Sequence, residues 1–417
     1  MKILWLGNIA LPAIAEREKM NTVFVGGWMV DLSKRVSECK GISLCYVFDS
    51  DKNRNGIVDG YTYYGVTCKV QGSKPLGRDY ESQLIEILAT EQPDVIHIWG
   101  TETQHSLAMV NAAERIGMLD RVVISIQGMV SIYARHYCAY LDHSISSGYR
   151  GKDYLQGNLL RRAQIFREKG QLEIAAIKKV RHVIGRTDWD RAITSSINPA
   201  AQYHFNNEML RDDFYSGKWD GTNCEKYSIF CSQAHYPIKG LHLMLEALVE
   251  VKKTYSEVKL YIGGKDYYKT KMFLRSKYEQ YIIEYITTNG LTENVAFTGN
   301  LSSDKMKERY LKSHIFVSPS SIENSPNSVC EAMILGVPVV SSFVGGVGNL
   351  MESGVSGYYY QADAPYMLAY YIKLLFSDMK LCETISQNAI KVASKRHDRK
   401  TIVEDLMKIY EDIKETP

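Results

Sequence analysis

Short apolar runs alternate with longer amphipathic stretches from one end of the chain to the other. Residues 2–6 (KILWL), 43–49 (SLCYVFD), 94–99 (DVIHIW), 122–127 (VVISIQ) and 182–187 (HVIGRT) are brief, rich in Val and Ile, and bounded by Gly or polar residues. That pattern predicts buried strands. Between them, 79–91, 104–117 and 160–181 have the spacing of amphipathic helices. Strand then helix, repeated, predicts a parallel sheet covered on both faces. The pattern stalls over 196–225, where Asn198, Pro199, Asn206, Asn207, Gly217 and Gly221 mark a connection. It restarts at 227–232 (YSIFCS), 258–262 (VKLYI), 295–298 (VAFT), 315–318 (IFVS) and 337–341 (VPVVS). The expected fold class is α/β, with two doubly wound domains facing a cleft. The expected boundaries are 1–200, a connection at 201–225, a second domain at 226–395, and a C-terminal helix over 396–417 that packs back toward the first domain.

Composition narrows the class. Fifty Lys and Arg stand against 47 Asp and Glu, a net of +3, which is no global nucleic-acid signature. No apolar run approaches the ~18 residues of a spanning helix. MKILWLGN enters a strand pattern directly, without a signal-peptide core. A cytoplasmic setting with eight reduced cysteines is expected. None of them forms a C-x-x-C pair or lies at zinc-finger spacing, so they read as small buried hydrophobes, not as a metal site. One local charge feature stands out. From Arg150 to His182 there are nine basic and three acidic residues, with Leu155, Leu159, Leu160 and Phe166 interleaved. This stretch reads either as peripheral contact with the inner face of a membrane or as a solvated helix face.

In open α/β sheets, ligands sit outside the carboxyl ends of the strands. The strongest chemical signal is at such a place, VSPSSIENSPNSVCEAMILGVPVVSS over 317–342. A strand ends at Ser318-Pro319 and a helix begins near Pro326. Pro is favoured at the first helical position, which makes Ser325 or Asn324 the expected cap, and Gly336 and Pro338 stop the helix. The first turn, 326–329, points N–H groups outward with the helix dipole behind them, a site for an anion and best for a phosphate. Glu323 and Glu331 bracket it. A carboxylate accepts two hydrogen bonds from a vicinal diol, so each suits a sugar or ribose ring. A cap for Glu323 and a surface ion pair for Glu331 are the plainer readings.

Two glutamates eight apart in this setting, S-P-S…E-N-S-P-N-S-V-C-E-A-M…G-V-P-V-V, resemble the signature of the retaining family 4 glycosyltransferases of GT-B fold. The resemblance extends over most of the second domain, through Lys239-Gly240 in YPIKGLHLML, KLYIGG at 259–264, FTGNL at 297–301 and Gly345-Gly346. It reaches VGGWMVDL at 25–32, PDVIHIWG at 93–100 and the C-terminal KRHDRKTIVEDLMKIYEDI more loosely. It implies two Rossmann-like domains and a role for each matching position. Glu323 would contact donor-sugar hydroxyls near the reacting carbon, and Lys239 would neutralise the diphosphate. Glu331 would hold the ribose. Asn324, Ser325, Asn327 and Ser328 would lie along the diphosphate and sugar, and Asn300 and Leu301 at the base. Gly26 and Gly27 would allow close backbone approach to phosphate or acceptor.

The sequence departs from the family at two places. Many members carry an Arg about five residues before the Lys, where position 234 here is Ala. Many carry a His at the end of a first-domain strand, where VVISIQGMV puts Gln127. Gln hydrogen-bonds a sugar hydroxyl but relays no proton at neutral pH. Arg186, at a strand end, is one candidate replacement cation, and a plain ion pair with Asp188 or Asp190 is its other reading. His97 reads as a satisfied core histidine. Trp28 and Trp99 suit either a sugar face or the core.

The resemblance implies transfer of a hexose from a nucleotide-diphosphate sugar to a hydroxyl of a glycan or lipid-linked acceptor, in surface polysaccharide assembly. It implies no cofactor and no metal, since Lys239 and the helix terminus meet the developing phosphate charge. The two departures keep open a non-catalytic sugar-nucleotide-binding subunit of the same fold.

Overall fold

The computed structural model describes residues 1–20, 27–68, 73–233 and 236–415, with the side chain of Trp28 left aside. The chain divides into two compact units. One comprises 1–134, 165–209 and 397–417, the other 135–164 and 210–396.

The first unit is built on an eight-stranded sheet. Its strands are β1 (Lys2–Gly7), β2 (Ser43–Ser50), β3 (Arg54–Val58), β4 (Tyr61–Thr67), β5 (Val95–Trp99), β6 (Val122–Ser125), β7 (His182–Gly185) and β8 (Gln202–Phe205). Their order is β3-β4-β2-β1-β5-β6-β7-β8, parallel throughout except for β3 against β4. The central strands alternate between two cores. Leu4 and Leu6 join Cys45 and Val47 on one face, while Ile3 and Trp5 join Leu44 and Tyr46 on the other. Ile402, Leu406, Ile409 and Ile413 of the C-terminal helix Arg399–Glu415 cover this second face. Tyr410 of that helix accepts from Trp5 Nε1 at 2.9 Å and meets His97 Nδ1 at 2.5 Å. The other ring nitrogen of His97 meets Ser125 at 2.6 Å. His97 is thus a satisfied core histidine, and burial holds its pKa well below the ordinary value. Trp99 stacks on it at 3.9 Å and belongs to the same core.

The β3–β4 hairpin was not foreseen, although its signal is present. Asp59 and Gly60 form a two-residue loop with φ of 48° and 80°, the left-handed pair a type I′ turn requires. β8 lies inside the expected connection at 201–225. It is an edge strand in which only His204 is buried, so its hydrophobic signal is weak.

The second unit holds a six-stranded sheet, all parallel. Its strands are β9 (Glu225–Cys231), β10 (Lys259–Gly263), β11 (Val295–Gly299), β12 (Ser313–Ser318), β13 (Val339–Ser342) and β14 (Tyr358–Tyr360). The order is β11-β10-β9-β12-β13-β14, so the winding reverses between β9 and β12.

Residues 135–164 correct the expected boundary at 200, because they pack with the second unit. Polar ties explain it. Lys152 Nζ donates to Glu279 at 2.6 Å, and the Lys277 N–H donates to Asp153 at 2.6 Å.

Glu173 anchors the first unit where the helix Val130–His136 begins. It is 1% exposed and accepts from the Val130 and Ser131 N–H groups, both at 3.0 Å, and from the Thr101 hydroxyl at 2.8 Å. Burial pushes its carboxyl up to about 7 against these bonds. The folded unit therefore binds this proton more tightly than the unfolded chain does. The associated stability is fully present below about 4.5 and is lost as pH rises through about 7. Wild type is expected to lose on the order of 3 kcal/mol across that window from this group. Urea unfolding of Glu173→Gln should show a flatter dependence, and parallel profiles would refute the assignment.

Candidate functional site

β9 and β12 are neighbours at the reversal of winding, and both strand ends open into short loops. This is the switch point at which doubly wound sheets bind ligands. After β9 the chain passes Ser232 and Gln233 and makes a turn of 3-10 helix, Pro237–Lys239. Gly240, with φ of 69°, then starts the helix Leu241–Lys252. After β12, a loop of small polar residues leads to the helix Asn327–Leu335. Ser232, Gln233, Lys239, Ser320, Glu323 and Ser328 line one recess there.

Two glycines fix the loop after β12. A Cβ on Gly240 would lie 1.8 Å from the Pro319 carbonyl oxygen, and one on Gly345 1.9 Å from that of Glu323. No other residue permits both approaches. The backbone hydrogen bonds follow. Ser321 N–H donates to the Ile238 carbonyl at 2.7 Å, and Gly346 N–H to the Glu323 carbonyl at 3.0 Å. Ser342 Oγ donates to the Ser320 carbonyl at 2.6 Å.

Lys239 Nζ then donates to Glu323 Oε1 at 2.6 Å, and Ser320 Oγ donates to the same oxygen at 2.7 Å. Their side chains are 17% and 10% exposed, so the pair is largely out of water. Burial acts against the ammonium, yet the adjacent Glu323 carboxylate outweighs it and holds the Lys239 pKa above the ordinary lysine value. Lys239 remains charged at neutral pH.

The helix beside them starts one residue later than the sequence predicts. Pro326 is the N-cap, with φ −68° and ψ 116°, and Asn327 is the first helical residue. Pro326 stands at the cap position where Ser325 or Asn324 was expected, and it makes no side-chain cap bond. Proline's fixed φ also suits this extended cap conformation. Asn324 and Ser325 are buried in the loop, while Asn327 and Ser328 are half-buried at the tip. Gly336, at φ 81°, ends the helix as expected.

Glu331 is neither exposed nor in a surface pair. Arg211 grips it with two parallel bonds, Nε to Oε1 and Nη2 to Oε2, each 2.8 Å. The Arg211 guanidinium also lies 4.6 Å over the Phe214 ring. Burial raises the Glu331 carboxyl pKa, with Arg211 opposing. The sequence reading missed Arg211, which lies 120 positions from its partner in a segment read as a connection. Asn300 is exposed and Leu301 half-buried after β11. Asn300 and Gly299 line a second recess with Lys265, Asp266, Lys269 and Thr270.

The remaining candidates belong to the first unit. Gly27 is the first residue of the helix Gly27–Ser37, and Gly26 lies outside the described residues, as does Ala234 in the second unit. Gln127 and Arg186 converge on Glu208, which the sequence reading did not name. The Gln127 amide and the Arg186 guanidinium each donate to its carboxylate. Arg186 also donates to the Gln127 carbonyl at 3.0 Å. Neither aspartate weighed for the Arg186 guanidinium takes this bond. Asp190 instead accepts the Arg186 backbone N–H at 2.9 Å and caps the following helix. Arg186 is 4% exposed, and a guanidinium at that depth requires a counter-charge beside it. Glu208 supplies that counter-charge.

Residues 220–392 match the family model described as glycosyl transferases group 1. An uncharacterized glycosyltransferase of Methanocaldococcus jannaschii is 25% identical over 186 residues, 45% of each chain. The lipopolysaccharide 1,2-N-acetylglucosaminetransferase of Salmonella typhimurium is 27% identical over 124 residues, 30% of this chain and 32% of that one. The phosphatidyl-myo-inositol mannosyltransferase of Mycobacterium leprae is 24% identical over 190 residues, 45% of this chain and 47% of that one. Each match spans less than half the length of the relative. Among solved structures, Anabaena HepE in complex with UDP-glucose aligns with a TM-score of 0.67 at 18% identity, over 99% of this chain and 100% of that one. WaaG, a glycosyltransferase involved in lipopolysaccharide biosynthesis, aligns at 0.62 and 13%, over 99% of both chains. Two Rossmann-like units with parallel sheets are the fold of the GT-B glycosyltransferases, and in this chain residues 220–392 carry the group 1 match.

Proposed function

We propose that the protein is a retaining glycosyltransferase that moves a hexose from a nucleotide-diphosphate sugar to a hydroxyl of a glycan or lipid-linked acceptor. The observation that carries this reading is the meeting of Lys239 and Glu323 at the switch point, beside the N-terminus of the helix Asn327–Leu335. A cation and a helix N-terminus stabilise charge that grows on a departing diphosphate. A carboxylate beside them accepts from sugar hydroxyls. Glu331, oriented by Arg211, keeps lone pairs for the ribose diol. Asn324, Ser325, Asn327 and Ser328 line the way between, and Asn300 and Leu301 meet the base.

In the proposed step, the bond from the anomeric carbon to the diphosphate oxygen breaks. The acceptor oxygen bonds that carbon on the same face, and its proton passes to the departing diphosphate. No separate base is then needed. Lys239 and the helix tip meet the diphosphate charge, so full activity in the presence of a chelator is expected.

Nucleotide sugars are to be screened by thermal shift, where a donor at about 100 times its Kd adds roughly 2.7 kcal/mol. Donor with acceptor should then release free nucleoside diphosphate. Stabilisation without release would assign a non-catalytic binding subunit instead. Glu323→Gln should lower turnover at least ~100-fold with little change in nucleotide affinity, the pattern of an interaction made mainly in the transition state. Equal loss of both parameters would contradict its place at the reacting carbon.

The Arg211–Glu331 pair also has a consequence for stability. Glu331→Ala leaves a largely buried guanidinium without its partner. A cost of about 2 kcal/mol is expected, below that of a fully buried pair because Arg211 keeps 23% of its side chain exposed. Arg211→Met combined with Glu331→Leu should cost less than either single change in urea unfolding. A neutral single variant would show that the pair contributes nothing.

A further inference from the structure

Two loops of the second unit present large apolar side chains to solvent side by side. In the first, Tyr154 is 74% and Leu155 91% exposed. In the second, Met272 is 65% and Phe273 68% exposed, in a turn of 3-10 helix, Met272–Leu274, that buries none of its residues. The loops are fastened to each other. Lys152 N–H donates to the Leu274 carbonyl and the Arg150 guanidinium to that of Met272, both at 3.3 Å. Gly151, at φ 51°, lies so close that a Cβ would come within 2.4 Å of the Arg275 carbonyl oxygen. The apolar tips therefore stand on one preformed base.

The surround is strongly basic. Residues 149–162 and 265–277 together hold nine Lys and Arg against two Asp. Some of these cations are neutralised. Lys152 and Lys265 share Glu279, and Arg162 meets Asp153. Others are held without losing charge. Arg150 donates to the Met272 carbonyl, and Arg275 to the carbonyls of Thr270 and Tyr268. Lys271 is exposed at the base of the Met272–Leu274 turn.

We propose that these two loops form a docking surface for an anionic phospholipid bilayer. Apolar tips ringed by cations suit the interface, where side chains enter the acyl boundary and each nearby cation gains from the negative surface potential. A second copy of the chain would bury the tips equally well, but it would press one basic ring against another. The surface also relocates the contact that charge counting placed over 150–182. Residues beyond 164 belong to the first unit, where Lys179 meets Glu114 at 2.5 Å. The inference does not depend on the donor chemistry, and its test reads binding, not turnover.

The full chain carrying Phe273→Trp is to be mixed with phosphatidylcholine vesicles, with and without about one third phosphatidylglycerol. Relative to the parent chain, added fluorescence should shift to the blue and be quenched by brominated acyl chains, in the anionic vesicles only. In cosedimentation, Leu155→Asp and Lys271→Glu should each weaken binding about tenfold, and both changes are on exposed side chains that folding does not need. Absence of quenching in anionic vesicles would overturn the proposal. So would equal binding to neutral vesicles, or a dimer in solution that Phe273→Asp dissociates.

Discussion

The candidate site rests on one steric constraint, the confinement of the loop after β12 between two glycine backbones. Gly240 approaches it from the turn after β9, and Gly345 from the segment after β13. Both glycines have positive φ, so a side chain at either position would strain the backbone as well as collide with a carbonyl. The loop thus has its position set by main-chain contacts before any side chain acts. Lys239 and Glu323 are carried by the two segments this packing joins. Their ion pair is therefore a consequence of backbone geometry, and the charged groups need not supply the energy that brings them together. That matters because a largely buried ion pair is a poor source of stability once its desolvation is counted.

The first unit handles buried charge differently. Glu102, Glu173 and Glu208 all have carboxyl pKa values raised, in each case mainly by burial. Glu173 is held by N–H and hydroxyl donors at a helix start. Glu208 meets a full positive charge, Arg186. Glu102 accepts the Gly128 N–H at 2.7 Å. Glu102 follows β5, and Glu208 meets Gln127 and Arg186, which follow β6 and β7 and are both directed to it.

Much of this was legible in the sequence because it depends on local pattern. Ten strands were visible as short Val- and Ile-rich runs, since parallel strands are buried on both faces and need no alternation. The elements that escaped notice carry little hydrophobic signal. β8 has one buried residue, and β14 is three tyrosines long. The β3–β4 hairpin did have a signal in Asp59-Gly60, and its edge position obscured it. Lys239, Glu323 and the helix tip were readable because each follows a strand in a doubly wound pattern. Arg211 and Glu208 were not, because a partner far along the chain leaves no spacing to read. The one-residue shift at Pro326 is of another kind. Proline fixes φ alone, and ψ decides whether it caps the helix or opens it.

The closed pair also bears on what the proposed site would accept. An anion drawn to Lys239 comes close to the Glu323 carboxylate, only 2.6 Å from the ammonium. A bare diphosphate would gain the lysine and at the same time face a like charge. A diphosphate carrying a hexose differs, because its hydroxyls supply donors for the carboxylate while its phosphate oxygens take the ammonium. Both halves of the ion pair then exchange one partner for another, and neither is left buried and unmatched, the condition that makes broken pairs costly. On the proposed function, preference for the intact donor over its cleaved product would follow from that exchange, without any contact specific to one sugar.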